Sequence, residues 1–215
     1  MITSMIWHFY KKFKQILASQ VMFDVRKETT IMDVTIKTIL DIESNCNWKD
    51  MLSLLSIDLD MDKRNDDNWL YLLFDSWWIL ADWGLFVDKN NPNSFIAYDD
   101  LKKEFRNNIA LIKKEMEINC KFQLVLGLAM CTIPVPFMEN ETDEKQFDSI
   151  VELGGKYCTL SLKNNLESKM YGYFSNENRK SISEKEKESI KDEINKTFAQ
   201  GTLLNEYLVS MIEVG

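Results

Sequence analysis

Residue types that commonly perform catalysis are sparse in this chain of 215 residues. His8 is the only histidine, which excludes a Ser–His–Asp or Cys–His arrangement built on any other histidine and leaves no Cys/His metal cluster. Glycine-rich phosphate-binding motifs and the GxSxG motif are absent. Pairs of carboxylates are frequent, but 34 acidic residues produce such pairs by chance. We therefore expect no enzyme, no metal site and no cofactor.

One acidic segment imitates the first ligands of a calcium-binding loop. Asp58, Asp60 and Asp62 occupy alternate positions, as the ligands of such loops do. Lys63 then stands where the turn needs glycine, and Trp69 stands where the bidentate glutamate should be. The segment therefore does not predict a calcium site.

The four cysteines, Cys46, Cys120, Cys131 and Cys158, form no close pair that could hold a metal. Three of them have apolar neighbours, which is typical of small core residues. The N-terminal segment places its lysines after its apolar residues, unlike a signal peptide. These features predict free thiols in a reducing cytoplasm.

The aromatic segment from Asp67 to about Phe86 is the strongest candidate for a binding surface. Asp75 and Asp82 are seven residues apart, so a helix places them within ~20° of one face. Tyr71 and Trp78 flank this stripe, and Tyr and Trp are common anchors of protein interfaces. The alternative is that the stripe is only the solvent edge of a central helix. The candidate partner-binding residues are Asp66, Asp67, Tyr71, Asp75, Trp78 and Asp82.

Negative charge is concentrated in two zones of this chain, whose net charge is −8. Residues 58–100 carry a net charge of −7, residues 139–152 carry −5, and the rest is net positive. Such zones favour a basic partner and repel nucleic-acid phosphates, so we expect no nucleic-acid partner. For the second zone, residues 139–152, the preferred explanation is that the acidic residues keep the protein soluble.

No charged residue occurs from Phe122 to Met138, a length at the lower limit for a membrane span. Pro134 and Pro136 end the helix near Thr132 or Ile133, because proline lacks a backbone N–H and constrains the preceding residue. The remaining apolar residues suit a core helix. A second apolar helix over about 2–20 either docks on the core, which we favour, or lies on a membrane surface. We expect no membrane association.

Composition and periodicity predict a single all-α domain over residues 1–215. Only 7 Gly and 3 Pro are present, too few for the turns of a sandwich or barrel. Apolar spacing indicates about nine helices in antiparallel pairs, with no convincing strand. In the helix from Asp143 to about Leu162, we expect Phe147 to face inward and Gly154–Gly155 to permit close helix approach. Ser183 and Glu186 form a predicted capping box.

Two segments of the chain resemble the C-terminal part of small helical immunity proteins of bacterial toxin systems. They are "LGLAMCTIPVPFM" (126–138) and "FDSIVELGGKYCTLSLKNNLESKMYGYF" (147–174). In that family an apolar helix ends in a Pro–aromatic turn and is followed by a helix pair similar to a degenerate tetratricopeptide unit. Gly154–Gly155 and the lack of a second aromatic residue after Pro136 depart from the family pattern.

The resemblance implies a cytoplasmic, non-enzymatic protein that binds and blocks a cognate toxin domain, here expected to be a basic nuclease. One alternative is a helical adaptor or regulatory module without a toxin partner. Another is an enzyme whose site is built from scattered carboxylates.

Overall fold

The computed structural model describes residues 34–56, 67–88, 91–112, 117–175 and 182–214. Within these ranges the chain is all-α, as the composition predicts. The predicted helix over 2–20 and the predicted helix start at Thr30 lie outside the described residues. The helices are α1 (Ile36–Asn45), α2 (Trp48–Leu55), α3 (Asp67–Ala81), α4 (Trp83–Phe86), α5 (Tyr98–Leu111), α6 (Cys120–Thr132), α7 (Glu144–Lys163), α8 (Lys169–Phe174), α9 (Glu184–Thr197) and α10 (Leu203–Val214).

Helix α3 is the central helix of the described fold. Every residue from Trp69 to Leu80 is buried, and α1, α5, α6 and α10 all pack against it. A helix that is apolar around most of its circumference is stable only when it is enclosed in this way. The chain leaves the helix after Ala81, turns at Asp82 and continues as the single-turn α4, so the predicted helix to Phe86 is divided in two.

Helices α6 and α7 form a close antiparallel pair. Gln123 near the start of α6 accepts a hydrogen bond from Asn164, just beyond the end of α7, and Cys131 near the end of α6 contacts the Val151 carbonyl. The closest approach involves Gly154, where an added Cβ would lie only 2.7 Å from the carbonyl oxygen of Gly127. The predicted close approach is therefore confirmed for Gly154.

The end of α6 at Thr132 confirms the predicted effect of the two prolines. Residues Val135–Phe137 form a 3₁₀ turn, and the Phe137 ring packs edge-on against Phe105 of α5 at 5.1 Å. The indole of Trp77 on α3 donates a 3.0 Å hydrogen bond to the Ile133 carbonyl, which joins this turn to the central helix. No helix in the described part of the chain is long and apolar enough to cross a membrane.

The C-terminal helices also pair in antiparallel fashion. The predicted capping box at Ser183 and Glu186 is present at the start of α9. Asn205 of α10 donates to Asn195 of α9 at 3.1 Å. Gly201 allows the reversal between the two helices because it adopts a φ of +83°, a conformation that favours glycine.

Candidate functional site

The predicted aromatic stripe on α3 is not a surface in the folded chain. Asp75 is 0% exposed, Tyr71 is 5% exposed and Trp78 is 6% exposed. The prediction that these side chains face a partner is therefore wrong for the described fold, and so is the solvent-edge alternative. The reason is tertiary: α1, α5, α6 and α10 pack against the helix, and Tyr207 of α10 lies against Trp78 of the stripe.

The aromatic residues of the stripe instead have structural partners. The Tyr71 hydroxyl accepts a 2.7 Å hydrogen bond from the Ala199 backbone N–H, and burial raises the pKa of this hydroxyl. The Trp78 ring lies edge-on to Tyr207 of α10, with 5.2 Å between ring centroids. Both side chains therefore join α3 to the C-terminal part of the fold.

The remaining stripe residues are separated from one another. Asp67, at the start of α3, pairs with Lys121 of α6 at 2.5 Å. Asp82 is half-buried in the turn between α3 and α4, where burial raises the pKa of its carboxyl group. Asp66 lies outside the described residues. The structure thus gives no common surface to the five predicted residues that it describes.

Asp75 instead meets a second buried carboxyl group, that of Glu43 on α1. Glu43 is 4% exposed, and its Oε2 accepts a 3.1 Å hydrogen bond from the backbone N–H of Leu203 at the start of α10. The carboxyl groups of Glu43 and Asp75 lie close enough for each to shift the pKa of the other. We call these two side chains the carboxyl pair.

The environment of the carboxyl pair opposes ionisation. Burial, followed by the nearby charge of Asp75, raises the pKa of Glu43 from the ordinary 4.5 to about 10, and burial raises the pKa of Asp75 well above its ordinary value. The pair lies in the packed interior, where a substrate does not reach it. Both carboxyl groups therefore favour their uncharged forms.

Sequence reasoning missed Glu43, although a signal was present. Glu43 follows Ile42 and stands four residues after Ile39, and both isoleucines are buried. A glutamate on the apolar face of a helix needs a partner when it is buried. That partner, 32 residues later in the chain, could not be identified without the tertiary structure.

A different acidic region is exposed. The acidic α7 surface comprises the second charge zone together with one aromatic ring: Glu139, Glu141, Asp143, Glu144, Asp148 and Glu152, with Phe147 among them. All seven side chains are exposed, and Phe147 remains 41% exposed. The prediction that Phe147 faces the core is therefore wrong.

The exposure of Phe147 follows from where α6 ends. Cys131, one residue before the end of α6, already lies beside Val151 of α7. Phe147 is one turn earlier on α7, so its inward-facing side extends beyond the end of α6. The spacing of residues along α7 gives the direction of the Phe147 side chain relative to the helix axis, but it does not show where the neighbouring helix stops.

Local hydrogen bonds hold the acidic α7 surface in place. Asp143 caps α7 by accepting from the backbone N–H groups of Lys145 and Gln146. Gln146 Oε1 in turn accepts from the backbone N–H of Glu139 at 2.9 Å and of Asn140 at 3.1 Å. The connection that carries the acids is thus fixed to the first turn of α7.

Helix α5 neutralises part of this surface. Arg106 pairs with Glu139 at 2.6 Å, and Lys102 pairs with Glu141 at 2.5 Å. These ion pairs border an open polar cleft of about 660 Å³ between α5 and the connection to α7. Asp148 and Glu152, one turn apart on α7, have no ion pair among the described residues. Their charges are therefore not neutralised by a described basic side chain.

Within the described ranges, no cluster of three or more His, Cys, Asp or Glu residues could hold a metal ion. No protein-family model matches the chain, and comparisons with curated proteins and with solved structures find no match. A proposal for function therefore depends on the geometry described above and on the resemblance of residues 126–174.

Proposed function

We propose that this chain is a cytoplasmic immunity protein that neutralises a basic toxin domain by direct contact through the acidic α7 surface. The observation that carries the proposal is that the Phe147 ring is exposed in a segment, residues 139–152, that also carries six exposed acidic side chains. An aromatic ring supplies buried area on binding, and surrounding carboxylates attract a positively charged protein and accelerate its association.

The resemblance in residues 126–174 supports the choice of a toxin as the partner. The structure of this segment has the order expected of that family: an apolar helix, a turn containing two prolines and Phe137, and then two helices, α7 and α8. The acidic α7 surface begins directly after this turn. The acids and Phe147 lie on α7 and on a connection that is hydrogen-bonded to its first turn, so the surface does not require a partner in order to form.

The function can be tested by co-expression in bacteria with the C-terminal domain encoded by the reading frame directly upstream. We expect that domain to be basic and to arrest growth, and we expect this chain to relieve the arrest. A helical adaptor without a toxin partner, the alternative function, would leave the arrest unrelieved. Growth arrest that persists despite soluble expression of this chain would therefore contradict the proposal.

The surface is tested separately by charge reversal. We expect Asp148→Lys with Glu152→Lys to weaken toxin binding by ~10-fold or more, because like charges then meet across the contact. Glu188→Lys with Asp192→Lys is the matched control, since these exposed acids have the same spacing on α9. Equal loss of affinity in the two double variants, measured by titration calorimetry, would assign the effect to net charge alone.

Phe147→Ala tests the proposed aromatic anchor. We expect a loss of ~2 kcal/mol or more in binding free energy if the ring fills a pocket of the partner. Leu166→Ala is the control, because Leu166 is 77% exposed and follows the far end of α7. Unchanged affinity in Phe147→Ala would exclude this surface while leaving growth rescue as the test of the function itself.

A further inference from the structure

The carboxyl pair has fewer hydrogen-bond donors than two buried negative charges require. Apart from their contact with each other, Glu43 Oε1 and both carboxyl oxygens of Asp75 have no hydrogen-bond partner among the described residues. The one backbone N–H that serves the pair in the described structure is that of Leu203. A buried carboxylate is stable only when it is paired or accepts several hydrogen bonds, so a single N–H cannot support two of them.

The charges around the pair make double ionisation still less favourable. Glu43 lies near Asp75 of α3 and also near Glu206 of α10, both of which are acidic. Tyr71, on the same face of α3, is a neutral phenol whose own ionisation is opposed by Glu43. The Leu203 N–H favours a negative charge on Glu43, but burial and the acidic neighbours outweigh this contribution.

We infer that Glu43 and Asp75 form a proton-binding site that joins α1, α3 and α10, and that the folded chain retains at least one proton there at neutral pH. Protonated Glu43 donates its O–H to Asp75 and accepts the Leu203 N–H. The pair thus connects α1 and α10 to the central helix α3. In the unfolded chain both carboxyl groups are in water and ionise at their ordinary pKa values.

This difference makes the stability depend on pH in a defined direction. The folded-state pKa of Glu43 is raised above its unfolded value, so the pair contributes to the free energy of unfolding. This contribution is complete below pH 4.5 and is lost as the pH rises toward about 10. Between these limits, each proton that only the folded state retains makes the unfolding equilibrium constant about tenfold larger for every unit by which the pH rises. The pair is therefore a pH-sensitive contact that holds the helices together most strongly under mildly acidic conditions.

Infrared spectroscopy of the folded full-length chain at pH 8 tests the site directly. A protonated carboxyl group has a C=O stretching band that ionised carboxylates lack. We expect this band in the folded protein and its disappearance when denaturant unfolds the chain at the same pH. Absence of the band from the folded protein at pH 8 would overturn the inference, whatever any variant does.

Amide substitution assigns the band. The double variant Glu43→Gln with Asp75→Asn keeps the side-chain shapes and a hydrogen bond between them but removes both titrating groups. We expect it to lose the band and to show a flatter decline of stability from pH 5.5 to 8.5 in urea unfolding. Asp148→Asn with Glu152→Gln is the matched control on exposed α7, and it should leave both measurements unchanged.

The remaining outcomes are also informative. If the buried double variant does not fold, the band of the unsubstituted protein and its loss on unfolding still decide whether a buried carboxyl group is protonated. If that variant folds and retains the band, the proton belongs to another group and the site is wrongly assigned. Parallel pH profiles for the unsubstituted protein and the folded double variant would likewise contradict the inference.

Discussion

At the scale of single residues, the environment of an aspartate decides its role. Asp75 and Asp82 have the same residue type and share one helical face in the sequence pattern, yet Asp75 is 0% exposed and Asp82 is half-buried in a turn. Asp75 has a buried carboxyl partner in Glu43, whereas the Asp82 side chain makes no capping hydrogen bond to α4. Identical substitutions at the two positions should therefore have different effects.

We expect Asp75→Lys to lower the free energy of unfolding by ~3 kcal/mol or more, because it places a longer, charged side chain at a position that is 0% exposed. Asp82→Lys, the matched control, should change it by less than ~1 kcal/mol. Urea unfolding monitored by tryptophan fluorescence provides both values. A stable Asp75→Lys protein with an unchanged midpoint would contradict the buried position of this residue.

At the scale of helices, the closest packing contact depends on one glycine of a Gly–Gly pair. An added Cβ at Gly154 would lie 2.8 Å from Met130 Cβ and 2.9 Å from Cys131 Sγ, in addition to its contact with α6 backbone. An added Cβ at Gly155 would meet nothing within 4 Å. The two neighbouring glycines thus have different physical roles: the first permits helix contact, and the second only weakens the helix.

Alanine substitution should separate these roles. We expect Gly154→Ala to destabilise the protein by ~1–3 kcal/mol, because α6 and α7 must move apart. Gly155→Ala should stabilise it by up to ~1 kcal/mol, because alanine has the higher helix propensity. Thermal and urea unfolding of the two variants measure the difference, and similar stability changes in both would show that α7 does not approach α6 through Gly154.

At the scale of the whole molecule, the described fold is held together without covalent cross-links. All four cysteines are free thiols; Cys158 is buried, and burial raises the pKa of the Cys46 thiol. The described core is formed by noncovalent packing around α3, in which five aromatic rings lie close together: Phe74, Trp77, Trp78, Phe86 and Tyr207.

Reducing agent should consequently leave the stability unchanged. Thermal unfolding midpoints with and without reductant are expected to agree, because no described disulfide restricts the unfolded chain. A dilute sample avoids oxidation between molecules at the exposed Cys131. A midpoint that falls by several degrees on reduction would require a disulfide and would contradict the free-thiol state.

Several local features of this fold can be predicted from neighbouring residues in the sequence. Scarcity of Gly and Pro predicts the all-α class, Pro134 and Pro136 end α6 at Thr132, and Ser183 with Glu186 starts α9. These features depend on the backbone chemistry of neighbouring residues, which sequence shows directly. The apolar circumference of α3 likewise indicates a central helix.

Which helix faces are covered and which are free depends instead on how the helices pack together. Burial of Asp75 depends on α1 and α10, and its partner Glu43 comes from an earlier helix. Exposure of Phe147 depends on where α6 ends beside α7. Helical periodicity gives the direction of each side chain relative to its own axis, but burial is set by the neighbouring helices, and these come from distant parts of the chain.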